Sequence, residues 1–174
     1  MSHDTKATPH GRIVSVAYAW DMGSEAVSRI QNYRTVDPLL SACGQPTEEQ
    51  LRAVAADGFT AVINLALHDD PRYCLPDEAG LARSLGLTYI HIPVQFSAPT
   101  EDDLMRFFDA MDRHRHERLL VHCAANKRVT VFLGLYRVLR LHWDRRHAFA
   151  LMHDIWEPDD IWVAFIETML AKGR

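Results

Sequence analysis

Cysteine is scarce in this 174-residue chain: there are three, Cys43, Cys74 and Cys123, an odd number at wide spacing. That argues against a disulfide framework and for a reducing, cytoplasmic compartment. Cationic charge is not in excess either. Nineteen Lys and Arg against 23 Asp and Glu leave a formal net charge of −4. No global basic field therefore draws the chain to nucleic acid or to a membrane surface, and any affinity for anions must be local. No apolar run approaches the roughly 18 residues of a membrane span. Residues 1–11 are polar and lack the apolar centre of a signal peptide. Internal repeats and low-complexity tracts are absent. What remains, 48% hydrophobic and 24% charged residues, is the composition of an ordinary globule. The length suits one domain that buries about 70% of its unfolded surface. We read residues 1–11 as a flexible tail and 12–174 as a single domain.

Strand-like and helix-like segments alternate along that domain. Residues 12–20 are apolar enough to be ordered, and Ser24 is placed to cap a short helix. Residues 33–36 and 39–42 fit two short strands joined at the turn pair Asp37-Pro38. Thr47 and Gln50 form a capping box at the start of a helix that stops at Gly58. Residues 61–65 and 88–92 are short, β-branched strand candidates, separated by a helix over 77–85 that Gly86 ends. Leu104, Phe107, Phe108 and Met111 share one face of a helix running from Thr100 to about His114. Residues 119–121 form the next strand. Val129, Phe132, Leu133, Tyr136 and Leu139 recur at helical spacing, and two further helices are expected over 146–155 and 158–172, the second with Pro158 at its first position. Trp156 and Trp162 pack these last helices onto the core. The alternation predicts an α/β fold: a mainly parallel central sheet flanked by helices on both faces.

The chemistry concentrates after residue 121. His122-Cys123 ends an apolar run, Arg128 follows after four residues, and Thr130 comes two later. A cysteine at a strand end, facing a helix start, sits where oriented N–H groups and the helix dipole favour negative charge. Such a field favours the nucleophilic thiolate. The same N–H groups, with a planar guanidinium, match the oxygens of a phosphate. Ligands of parallel α/β sheets bind beyond the carboxyl ends of the strands, which is where Cys123 falls. The alternation of strand side chains turns His122 away from Cys123 and suits it to a supporting hydrogen bond. Cys43 and Cys74 lack an arginine in register and read as structural. His114 and His116 do not complete a zinc set, and Arg137, Arg140, Arg145 and Arg146 read as a solvated face. We assign no metal and no cofactor.

His122-Cys123, Arg128 and Thr130 resemble the signature of the cysteine-dependent phosphatases, the tyrosine and dual-specificity group. That signature is His-Cys, five residues, Arg, then Ser or Thr. Here the Cys-x4-Arg loop is one residue short, Val129 stands where the arginine is expected, and Asn126 stands where glycine is common. Ser41-Ala42-Cys43-Gly44-Gln45-Pro46-Thr47, Val62-Ile63-Asn64-Leu65, Tyr89-Ile90-His91-Ile92-Pro93-Val94 and Ile155-Trp156-Glu157-Pro158 extend the resemblance to the family's bacterial members over residues 32–170. It implies a dual-specificity-type fold and hydrolysis of a phosphomonoester through a phosphocysteine. Cys123 is then the nucleophile and Arg128 the oxyanion ligand, with the loop residues Ala124, Ala125, Asn126 and Lys127 around the phosphate. Thr130 would assist release of the thiolate; a threonine in a helix's first turn has an equal claim to a structural role. The implied partner is a phosphorylated substrate, a phosphotyrosine protein or a small aryl phosphate.

The family's general acid is an aspartate in the loop after the strand that here ends at Pro93. Residues 94–100 contain no carboxylate. Asp103 is the capping partner expected for Thr100, which leaves Asp102 as the first choice and Asp69 or Asp70 as the other option. Two rival functions stay open. A cysteine, four residues and a basic residue also resemble the loop of rhodanese-type sulfurtransferases. A non-catalytic phosphate-binding module would explain both the displaced arginine and the missing aspartate.

Overall fold

A computed structural model of the protein describes residues 23–173. The expected tail over 1–11 and the segment 12–20 lie outside the described residues. Five strands, β1 (Arg34–Thr35), β2 (Leu40–Cys43), β3 (Ala61–Asn64), β4 (Thr88–His91) and β5 (Leu119–His122), form one sheet in the order β1-β2-β5-β3-β4. Only the β1–β2 pair is antiparallel, turned by Asp37, whose carboxylate accepts from the Leu39 and Leu40 amides. The other three pairs are parallel, as crossovers through helices require. The expected strand over 33–36 is thus reduced to two residues: beyond Thr35, the Val36 and Asp37 amides both turn onto the Leu40 carbonyl.

Side-chain alternation along β5 divides the core into two layers. Leu119 and Val121 face α4 (Glu101–His114), α5 (Lys127–Leu139) and α8 (Asp160–Lys172), together with Phe107, Phe132 and Trp162. Leu120 faces the other way, with Val62 of β3, into the layer of α1 (Glu25–Ser28), α2 (Glu48–Ala56) and α3 (Glu78–Ser84). Helix starts follow local chemistry. Ser24, Thr47, Asp77, Thr100 and Asp159 each accept a first-turn amide, and Thr47 with Gln50 forms the full capping box.

Two expectations need correction. The helix expected over 146–155 is two short pieces, α6 (Arg145–Ala148) and α7 (Ala150–His153), interrupted at Phe149. Phe149 is buried against α5 at Gly134, where any Cβ would meet its ring at 2.4 Å. That close packing, not helical periodicity, sets the local path. Pro158 is not the first residue of α8; it precedes the cap Asp159, whose carboxylate takes the Trp162 amide. No helix among the described residues is long and apolar enough to cross a membrane.

Candidate functional site

Parallel pairing on both sides of β5 carries Cys123 to the carboxyl edge of the sheet, between β2 and β3. Its amide donates to the Cys43 carbonyl at 3.3 Å, and the His122 carbonyl accepts from the Leu65 amide at 2.8 Å. Cys123 has no exposed surface, while Ala124, Ala125 and Lys127 are half-buried. The cysteine is thus the floor of the loop that leads into α5.

Asn126 closes that loop in the left-handed conformation, φ 65° and ψ 4°. Asparagine tolerates this region better than other residues with a Cβ, which explains its presence at a position where the resembled family often has glycine. As the N-cap of α5 its side chain would ordinarily bond a first-turn amide, but here it makes no such bond. Its Nδ2 donates instead to the Asn32 carbonyl at 2.8 Å, and Asn32 Nδ2 donates back to the Ala125 carbonyl at 3.0 Å. On the adjoining side the Gln45 amide donates to the Ala124 carbonyl at 3.1 Å, and the Gly44 amide to the Gln31 carbonyl at 2.7 Å. The loop is held from outside by two backbone segments far away in sequence. Its first-turn amides have no intrahelical partner and no side-chain cap.

Arg128 lies in that first turn, and only 8% of it is exposed. Its guanidinium sits over the Phe96 ring at 5.2 Å, and its Nε has no hydrogen-bond partner among the described residues. No carboxylate among them forms an ion pair with it. A buried guanidinium without a counter-charge is costly, and here it stands beside a helix N-terminus that favours anions. Both features are relieved by one bound oxyanion. Val129, at the position of the family's usual arginine, is fully buried in the core. Thr130 donates its hydroxyl hydrogen to the Lys127 carbonyl at 2.9 Å and accepts from Trp156 Nε1 at 3.2 Å. That commitment favours the structural reading of Thr130. Trp156 also lies under Lys127 Nζ, 5.1 Å from its ring centre, and packs against Phe96.

Behind the loop, His122 donates from Nε2 to Glu78 Oε1 at 2.7 Å, with both side chains fully buried. Glu78 was not singled out by its sequence context. A glutamate after Asp77 reads as an ordinary first-turn acid, and its partner is 44 residues away. Asn32 and Gly44 were missed for the same reason.

The carboxylates proposed from sequence separate by their partners. Asp103 caps α4 with Thr100, and Glu101 pairs with Lys172. Asp102 in the same turn and Asp69 after β3 are both exposed, and neither has a hydrogen bond or ion pair among the described residues. Asp70 is held by Arg72, whose side-chain and backbone hydrogen bonds lower its carboxyl to about 2, a poor setting for a proton donor at neutral pH. A cavity of 540 Å³ lies elsewhere, bordered by Arg145, Phe149, Met152, His153 and Ile166. The candidate site is set by chemistry, not by cavity size.

This layout of sheet, cysteine loop and helix is that of the phosphatases. A family model described as DSP-PTPase phosphatase fused to NAD+ kinase matches residues 24–151. The chain belongs to that phosphatase family. The DUF442 protein of Shewanella putrefaciens CN-32 has a similar structure, with a TM-score of 0.75 and 30% identity over 85% of this chain and 97% of its own. TpbA of P. aeruginosa, solved in complex with pTyr, shares the fold at 17% identity, with a TM-score of 0.61 over 82% of this chain and 90% of its own. The beta-lactamase hydrolase-like protein of Xylella fastidiosa strain Temecula1 is 29% identical over 120 residues. That match covers 68% of this chain but 28% of the relative, so the chain spans little more than a quarter of it.

Proposed function

We propose that the protein is a phosphomonoesterase that works through a phosphocysteine on Cys123. The observation that carries this reading is the unpaired, buried Arg128 in the first turn of α5, a helix start that has no side-chain cap and that directly follows the loop begun by Cys123. The thiolate of Cys123 attacks phosphorus, an S–P bond forms, and the bond to the ester oxygen breaks. Arg128 and backbone amides of the loop and the first turn of α5 stabilise the charge on the non-bridging oxygens. The departing oxygen takes a proton, for which we take Asp102 as the acid; it is exposed at the start of α4 and free of partners among the described residues, as Asp69 also is. Water then attacks phosphorus, inorganic phosphate leaves, and the thiolate is restored. None of these steps calls for a metal or an organic cofactor. The substrate is a phosphorylated one, an aryl phosphate such as phosphotyrosine, whose leaving group least needs an acid. A reducing, cytoplasmic setting suits a free thiol nucleophile.

The test is hydrolysis of p-nitrophenyl phosphate beside sulfur transfer from thiosulfate to cyanide. The reading expects slow hydrolysis that Cys123→Ser abolishes, a steep dependence on leaving-group pKa, and no sulfur transfer. Sulfur transfer without hydrolysis points to a sulfurtransferase. Phosphate binding with neither activity points to a binding module.

A further inference from the structure

Glu78 takes no part in the chemistry above, yet its carboxylate is fully buried at the carboxyl edge of the sheet. It comes from the first turn of α3, where an acid ordinarily faces water and the helix dipole. Here Oε1 accepts from His122 Nε2 at 2.7 Å. Oε2 accepts from Gln45 Nε2 at 2.9 Å and from Asn64 Nδ2 at 3.4 Å. One carboxylate thereby joins α3 to the segment after β2, to β3 and to β5.

A staple for the fold alone could be placed anywhere along these strands. This one grips the residue that immediately precedes Cys123. With Nε2 donated to a carboxylate, the orientation of the His122 ring is fixed, as carboxylate partners fix metal-bound and catalytic histidines. Its Nδ1 is buried with no hydrogen-bond partner among the described residues. The other titratable groups facing the pair are His68 from the loop after β3, Tyr89 and His91 from β4, and Cys43 from β2. Cys43 binds the Cys123 amide through its carbonyl. Its thiol is pushed up by burial first, then by the negative fields of Cys123 and Glu78. The charge of Glu78 is therefore felt at the strand that borders the cysteine.

We propose that Glu78 is a positioning residue for Cys123, acting through His122 to hold the end of β5 in the arrangement that presents the sulfur to phosphorus. This rests on Cys123 being the nucleophile. A nucleophile displaced by a fraction of an ångström loses rate more than it loses substrate affinity.

The experiment is a double-mutant cycle in the full chain with p-nitrophenyl phosphate. It runs well below the melting temperature of every variant. Glu78→Gln keeps the shape and an acceptor oxygen but loses the charge; His122→Asn removes the bond to Glu78. The expected result for Glu78→Gln is kcat reduced by about tenfold, in the range typical of supporting hydrogen-bond partners, with KM within about twofold. His122→Asn should be slower still, and the double variant no slower than His122→Asn alone. Wild-type kcat in a less stable Glu78→Gln, or losses that multiply in the double variant, overturns the proposal. Should the Gln variant not fold, Glu78→Asp, which keeps the charge but not the reach, is held to the same two criteria. Failure of the nucleophile reading looks different: it is wild-type turnover that survives in Cys123→Ser.

Discussion

Gly44→Ala is the smallest change that should disturb the candidate site from outside it. A Cβ at residue 44 would lie 2.9 Å from the Ala124 carbonyl oxygen and 3.1 Å from that of Gln31. Ordinary contact begins at 3.4 Å. Both obstructing atoms are backbone, so no side-chain rotation relieves the clash, and the 44–45 segment and the Cys123 loop must part by several tenths of an ångström. Overpacking of this kind costs about 1–3 kcal/mol, or a fall of roughly 3–10 °C in melting temperature for a chain of this size. The Gln45 to Ala124 hydrogen bond, 3.1 Å in length, crosses the same gap and is stretched with it. A displacement of about 1 Å at a reacting centre can cost about 100-fold in rate; half of that on a logarithmic scale is about tenfold in kcat. Thermal unfolding by circular dichroism and steady-state hydrolysis of an aryl phosphate measure the two effects. Gly44→Ala with wild-type melting temperature and kcat would show that this contact does not hold the loop, and would remove the external clamp from the account.

Arg128→Ala should lower aryl phosphate turnover by about 10²-fold or more, as for loss of an oxyanion ligand. It should also abolish the rise in melting temperature that inorganic phosphate gives the wild type, since ligand stabilisation scales with binding. Asn126→Ala should be less stable than Asn126→Gly by about 1–2 kcal/mol in urea unfolding. Both lose the bond to Asn32, but only alanine pays the steric cost of the left-handed conformation at φ 65°. The pH dependence follows from Glu78. Burial pushes its carboxyl up, but the attraction of His122, hydrogen bonds from His122 and Gln45 and the field of His68 outweigh it, leaving it below the ordinary 4.5. A carboxylate depressed in the folded state contributes stability above its unfolded pKa and loses it as pH falls through the folded one. The unfolding free energy should therefore decline below pH ~4.5, and this part of the decline should be missing in Glu78→Gln. Equal acid sensitivity of the two proteins would refute it.

Features written in short stretches of sequence were legible. The Thr47–Gln50 capping box, the Asp37 turn, the strand over 119–121, which runs one residue further to His122, and the buried Val129 all depend on neighbours within a few residues, and each is in place. Position in the alternating fold was equally readable, because parallel strands deliver their carboxyl ends to one edge. What escaped depends on distance in sequence. Asn32 reaches the loop across 93 residues and Glu78 reaches His122 across 44, and neither has a local motif. The break at Phe149 depends on a glycine one helix away. Periodicity over 146–155 continued through it because a single tight contact leaves no mark on the apolar pattern. Elimination alone does not reveal an acid: Asp103, Glu101 and Asp70 are each occupied, but Asp102 and Asp69 are both exposed and unpartnered among the described residues.

The central claim is that Cys123 carries the phosphoryl group. Its most direct test is acid quench of the enzyme during turnover of an aryl phosphate, followed by mass spectrometry of the peptide containing residues 119–128. The account predicts a phosphate-sized mass increase on Cys123 that accumulates with burst kinetics, disappears when substrate is exhausted, and is absent in Cys123→Ser. Steady turnover with Cys123 unmodified at every quench time, and with the serine variant still active, would contradict it.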